Sequence, residues 1–128
     1  MSADNGIYIL ACKDQYRVIH AMTIDNLYWS FLKDNNTELV PTRIVGYFGK
    51  SKYTRDINKA REIAFNMEKK HPILEYGIRT INVNKTWKQI VREAKELAPK
   101  EIEAIKTNFQ TDGRWDYDIQ KLEEIISL

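Results

Sequence analysis

The first half of the chain contains short β-branched and aromatic runs, which favour β-strands. Residues 7–12 and 16–22 form two such runs, and the three residues between them are short enough for a hairpin. A third strand is predicted at 42–48, with Pro41 at its start, where a missing N–H is tolerated, and Gly49 at its end. A fourth is predicted at 73–83, with Gly77 as a bulge or a point of close approach.

The second half has mainly helical periodicity. One helix is predicted over 54–70, with Thr54 as its N-cap and its end just before Pro72. Asn84 is predicted to cap a second helix, which ends at Pro99. Pro99 is predicted to open a third helix, and a last helix is predicted to begin near Asp116. The apolar positions at helical spacing are Ile57, Ala60, Ala64 and Met67, then Trp87, Ile90, Val91, Ala94 and Ala98, then Ile102, Ile105 and Phe109, and finally Ile119, Leu122 and Ile126.

The resulting order, β-β-β-α-β-α-α-α, predicts an α+β fold. We expect a mostly antiparallel sheet of about four strands, the 54–70 helix packed on one face, and a helical C-terminal segment. A length of 128 residues fits one domain, with residues 1–83 as the sheet and helix core and 84–128 as the helical segment. The predicted core comprises Ile7, Ile9, Val18, Ile44, Ile57, Ala64, Ile78, Ile90 and Leu122.

Composition narrows the class of protein. The 43% apolar residues and 11% aromatic residues suffice for a packed core. No apolar run approaches the length of a membrane span, and the N-terminal residues lack the basic flank and apolar segment of a secretion signal. The single cysteine, Cys12, suits a reducing compartment. These features predict a cytoplasmic protein with no membrane partner.

Charge is distributed unevenly along the chain. Residues 43–70 carry eight basic and three acidic side chains, whereas residues 96–128 carry four basic and eight acidic ones. Two interpretations stay open. The charges form solvated helix faces, or they form a polarised surface that docks on a charged macromolecule.

Candidate catalytic groups are few. Cys12 is a potential nucleophile with His20 as its base, but its position in an apolar strand favours a buried, unreactive thiol. No cluster has the spacing of metal ligands, and Gly49-Lys50-Ser51 lacks the earlier glycine of a phosphate-binding loop. We therefore predict no catalytic residue, no metal and no cofactor. A weaker anion site is conceivable where Lys50, Lys52 and Arg55 precede a helix N-terminus.

Several short motifs carry a resemblance. The opening S-A-D-N-G-I-Y-I-L (2–10) is followed by Y-R-V-I-H-A (16–21), N-L-Y-W (26–29), Y-F-G (47–49) and L-E-Y-G-I (74–78). Over residues 2–80 the chain thus resembles a widespread set of small phage and prophage proteins. The resemblance implies a phage context, and hence the host-cell cytoplasm. Small phage proteins of this kind often bind and block a host protein, a defence complex or a signalling molecule, as anti-CRISPR proteins do.

Some polar residues of these motifs suggest a pocket. Arg17, His20, Glu75 and Tyr76 could converge on one side of the sheet. The alternative is that they join the hairpin to its neighbours, with Arg17 and Glu75 as an ion pair.

The function predicted from these observations is non-catalytic binding that inhibits a host or defence-system protein, including a nucleoprotein complex. One alternative is a nucleic-acid-binding module that also uses Lys88, Arg92 and Trp87. Another is a small-molecule sponge or enzyme built on the predicted pocket. A second copy of the chain is a further candidate partner. The predicted partner-binding residues are Lys50, Lys52, Tyr53, Arg55, Lys59, Trp115, Asp116, Tyr117, Glu123 and Glu124.

Overall fold

The computed structural model describes residues 5–22, 40–75, 77–108 and 116–128. Within these ranges the strands are β1 (Asn5–Ala11), β2 (Tyr16–Met22), β3 (Lys52–Thr54) and β4 (Ile78–Asn82). The helices are α1 (Pro41–Phe48), α2 (Ile57–Lys70), α3 (Trp87–Asn108) and α4 (Asp116–Ile126). The predicted α+β fold is confirmed. None of the helices in these ranges has the length and apolar character needed to cross a membrane.

The four strands form one mixed sheet in the order β3-β2-β1-β4. β2 pairs antiparallel with both β1 and β3, so the predicted hairpin is present and most of the pairing is antiparallel. β4 pairs parallel with β1. The connection from β3 to β4 runs through α2, which carries the chain from one edge of the sheet to the other. Parallel strands require a long crossover connection of this kind.

Helices cover both faces of the sheet. On one face, Ile7 and Ile9 of β1 and Val18 of β2 pack against Ala60 and Ala64 of α2. On the other face, Tyr8 and Leu10 lie in a cluster that also contains buried residues of α1, α3 and α4. Because both of its faces are buried, β1 is apolar at consecutive positions rather than at alternate ones.

The strand predicted at 42–48 is wrong, because these residues form helix α1. Its buried residues, Thr42, Ile44, Val45 and Phe48, recur at intervals of three and four, which is one helical face. Pro41 occupies the first turn, where its missing N–H costs no helical hydrogen bond. The β-branched residues misled the prediction, since packing of this face on the core outweighs strand propensity.

Two predicted caps shift by two residues. The N-cap of α2 is Asp56 instead of Thr54, and its carboxylate accepts from the Asn58 N–H at 2.9 Å. At the start of α3, Thr86 rather than Asn84 acts as the cap. Its hydroxyl accepts from the Gln89 N–H at 3.2 Å, and the Gln89 side chain accepts from the Thr86 N–H at 2.9 Å, which is a capping box.

Pro99 lies inside α3 instead of separating two helices. The buried positions Ile90, Ala94 and Ala98 continue in register to the partly buried Ile102 and Ile105, so one apolar stripe crosses the proline. Pro99 itself is exposed. Packing of this uninterrupted stripe holds the segment as one helix.

Smaller differences concern the ends of elements and the core. β4 is shorter than the predicted 73–83 strand, and Gly77 precedes it with a φ of 64°, a conformation that favours glycine. In α4 the buried residues are Leu122 and Ile125, not Ile126. Ile57 and Ile78 are partly buried, whereas the other seven predicted core residues are fully buried. Phe109 lies outside the described residues.

Candidate functional site

Arg17 and His20, two of the four residues predicted to share a pocket, are not brought together. Arg17 and His20 lie three positions apart on β2, so their side chains point to opposite faces of the sheet. Arg17 faces α1 and α3, and His20 faces the side that carries α2. Glu75 lies beside Asn5, which is hydrogen-bonded to His20. Tyr76 lies outside the described residues.

Arg17 is 7% exposed and connects three elements. Its Nη1 donates to the Phe48 carbonyl at the end of α1 at 3.1 Å, and its Nε donates to the Gln15 side chain at 2.9 Å. The guanidinium carbon lies 3.8 Å from the ring centre of Trp87 and 4.9 Å from that of Tyr53. Burial lowers the pKa of Arg17. These contacts replace the predicted ion pair with Glu75.

His20 lies in a second cluster, with Asn5 and His71. The rings of His20 and His71 are stacked, with centroids 3.6 Å apart. The Asn5 Oδ1 accepts from the Glu75 N–H at 3.4 Å, which directs the Asn5 Nδ2 to donate to the His20 Nε2 at 3.1 Å. Since an accepting Nε2 carries no proton, this hydrogen bond requires neutral His20. Burial, and then the neighbouring His71, lower the pKa of His20.

Cys12 and His20 do not form a catalytic pair. Cys12 lies at one end of the hairpin and is buried in the cluster shared with α1, α3 and α4, whereas His20 lies towards the other end. Burial, and then the charge of Asp14, raise the pKa of the Cys12 thiol to about 11. A thiol in this state is a poor nucleophile at neutral pH.

We define the basic surface as Lys50, Lys52, Tyr53, Arg55 and Lys59, all of which are exposed. They extend from the turn after α1, along edge strand β3, to the first turn of α2. Tyr53 is 60% exposed, and yet its ring lies against the buried Arg17 guanidinium. Tyr53 lies on the sheet face of Arg17, whereas Lys52 and the helix that carries Lys59 lie on the opposite face, so the ring and these cations flank the same sheet edge, β3.

We define the acidic surface as Asp116, Tyr117, Glu123 and Glu124 of α4, all exposed. Tyr117 is 67% exposed and has the Lys121 ammonium 5.4 Å from its ring centre. The same lysine lies 3.9 Å from Glu124. Trp115 lies outside the described residues. Since α4 packs on the face of the sheet opposite α2, the acidic surface and the α2 part of the basic surface belong to different layers.

Sequence reasoning missed a groove on the α2 side of the sheet. Its volume is about 550 Å³, and it lies between the first turns of α2 and the carboxyl ends of β1 and β4. The only sequence signal for it was the pair Thr80 and Asn82, which are polar at β4 positions on the same face as Ile78. The lining residues are Ala11, Cys12, Tyr16, Ile57, Arg61, Thr80, Asn82, Val83 and Asn84.

Comparison of the chain with protein-family models, curated proteins and solved structures gives no match.

Proposed function

We propose that the protein acts by non-catalytic binding, as a phage protein that inhibits a host or defence-system macromolecule in the host-cell cytoplasm. The observation that carries this proposal is Tyr53. Its ring is 60% exposed but is held against Arg17, which is itself fixed by Phe48 and Trp87. A ring that is already ordered loses little conformational entropy on binding, and aromatic residues of this kind are typical binding hot spots.

The charge around Tyr53 indicates the chemistry of the partner. Lys50, Lys52, Arg55 and Lys59 are all exposed, so they favour a partner with an acidic surface. Exposed charges mainly raise the rate of association, while the aromatic ring supplies affinity. We therefore assign docking to the basic surface, with Tyr53 as its anchor.

A protein surface is favoured over bare nucleic acid as the partner. Trp87, the other aromatic side chain considered for base stacking, has the Arg17 guanidinium 3.8 Å from its ring centre. Of the two rings, Trp87 is only partly exposed, whereas Tyr53 is 60% exposed. Binding of single-stranded nucleic acid typically uses several stacking rings in succession.

The test is affinity capture from host cells that express the tagged protein, followed by a binding measurement with the purified partner. Tyr53→Ala should weaken binding at least about tenfold, mainly through faster dissociation. The triple charge reversal K52E/R55E/K59E should slow association. The matched control D116K/E123K/E124K changes three charges on the acidic surface and should leave binding unchanged.

Three outcomes would contradict this proposal. In one, no partner is captured whose binding depends on Tyr53 or the basic surface. In another, only the acidic-surface control loses binding. In the third, capture disappears after nuclease treatment and binding to arbitrary DNA or RNA falls steeply with salt, which is the behaviour of a phosphate-binding module.

A further inference from the structure

We propose that the groove beneath α2 binds a small organic phosphate. The groove is open to solvent along part of its length, and its volume of about 550 Å³ lies within the range of pockets that take small molecules. This site is separate from the basic surface and from the His20 cluster, because none of their residues lines it.

The polar side chains of the groove are available to a ligand. Tyr16, Arg61, Thr80, Asn82 and Asn84 line it, and within the described ranges none of them forms a side-chain hydrogen bond with another residue. Other polar side chains near the core are engaged, as when the buried Thr42 hydroxyl donates to Glu101 at 2.8 Å. Four of the five are exposed, so in the free protein their polar groups bond to water, which a ligand in the groove would displace.

The charge of the groove indicates an anion. Among the lining residues that the structure describes, Arg61 is the one cation and none is a carboxylate. The Arg61 guanidinium, the hydroxyls of Tyr16 and Thr80 and the amides of Asn82 and Asn84 all supply hydrogen-bond donors. A phosphate group offers several acceptor oxygens to such a donor set, and arginine is well suited to bind it through two parallel hydrogen bonds.

The apolar part of the lining indicates that the ligand also has an organic portion. Ala11 and Ile57 border the polar groups, whereas the Val83 side chain packs on the cluster of the opposite face. The groove also lies where the parallel strands β1 and β4 end, which is the usual position of ligand sites in sheets with parallel strands. The N-terminus of α2 is capped by Asp56, which accepts from the Asn58 N–H, so the donors for the phosphate are the side chains of the groove.

The experiment measures binding to the full chain by calorimetry and by the shift in Tm. The probes are a fixed panel of nucleoside monophosphates and sugar phosphates, with the matching nucleosides and sugars and inorganic phosphate as comparisons. We expect at least one phosphate ester to bind with one-to-one stoichiometry, more tightly than both its uncharged counterpart and inorganic phosphate. Absence of binding by every ester overturns the proposal, as does equal binding of inorganic phosphate.

Variants then locate the site. Arg61→Gln should raise the Kd of the bound ester by about tenfold or more, since a charged hydrogen bond is lost. Thr80→Val tests a second lining group without changing the charge. Lys69→Gln removes one positive charge from an exposed position of the same helix outside the groove and should leave the Kd unchanged. Equal weakening by R61Q and K69Q would show general charge attraction and overturn the proposal.

Discussion

The guanidinium carbon of Arg17 lies 3.8 Å from the centre of the Trp87 ring. This contact joins the turn end of the hairpin to the first residue of α3. A second contact supports it, because the Trp87 N–H donates to the Asp14 carboxylate at 3.0 Å. Arg17 also closes the end of α1 through the Phe48 carbonyl. One buried cation thus holds a strand and two helices together.

Replacement of Arg17 should destabilise the protein strongly. Arg17→Ala removes two hydrogen bonds and two ring contacts of a buried side chain, and we expect the free energy of unfolding to fall by about 2–4 kcal/mol. Arg17→Lys should lose less, since it keeps the charge but not the planar stacking. Urea unfolding measures both, with the exposed Arg55→Ala as control, for which a change within about 0.5 kcal/mol is expected. Equal losses in R17A and R55A would contradict this account.

The His20 cluster predicts that stability falls in mild acid. The pKa of His20 is lowered in the folded protein, so around its unfolded pKa the unfolded chain binds more protons than the folded one. Stability therefore rises with pH there, and it is lost as pH falls from above about 6.5 towards the lowered folded pKa. Urea unfolding at pH 5 to 8 checks this.

The variant His20→Gln serves as the comparison for this pH dependence. It carries no titrating ring, so the loss of stability between pH 8 and 5 should be smaller in H20Q than in the parent protein. If both proteins show the same pH dependence, His20 is not the group responsible.

Cys12 should react slowly in the folded protein. Because burial raises the pKa of its thiol to about 11, little thiolate forms at pH 8 and the sulfur is also shielded. We expect iodoacetamide to label the chain rapidly in denaturing urea and far more slowly without it, as mass spectrometry would show. Rapid labelling of the folded protein would revive the nucleophile interpretation.

Pro99→Ala should stabilise the protein. Proline inside a helix costs up to about 3 kcal/mol relative to alanine, and Pro99 is exposed, so its replacement removes no buried contact. Part of the gain is offset because alanine leaves the unfolded chain more flexible. We expect an increase of about 1 kcal/mol in the free energy of unfolding. Lys100→Ala at the next exposed position is the control, and a P99A protein less stable than the parent would show that the proline is needed.

Local pattern by itself determined the hairpin β1–β2, helix α2 and the helical conformation of α4. In these elements, the apolar residues of the sequence recur at the same spacing as the residues that become buried. In β1 they are consecutive, and in α2 Ala60 and Ala64 are one helical turn apart. Capping residues and Pro72 then limit the ends of α2, which is why its boundaries were close to those observed.

Tertiary structure alone decided the conformation of 41–48, the continuity of α3 through Pro99 and the parallel pairing of β4. The short run Ile44-Val45 fits a strand or a helix equally, and only the cluster shared with α3 and α4 selects the helix. Tertiary structure also stacked the ring of His20 on that of His71 and gathered Tyr16, Arg61 and Thr80 around one groove. Such relationships depend on register and on packing between residues distant in sequence, so no local pattern encodes them.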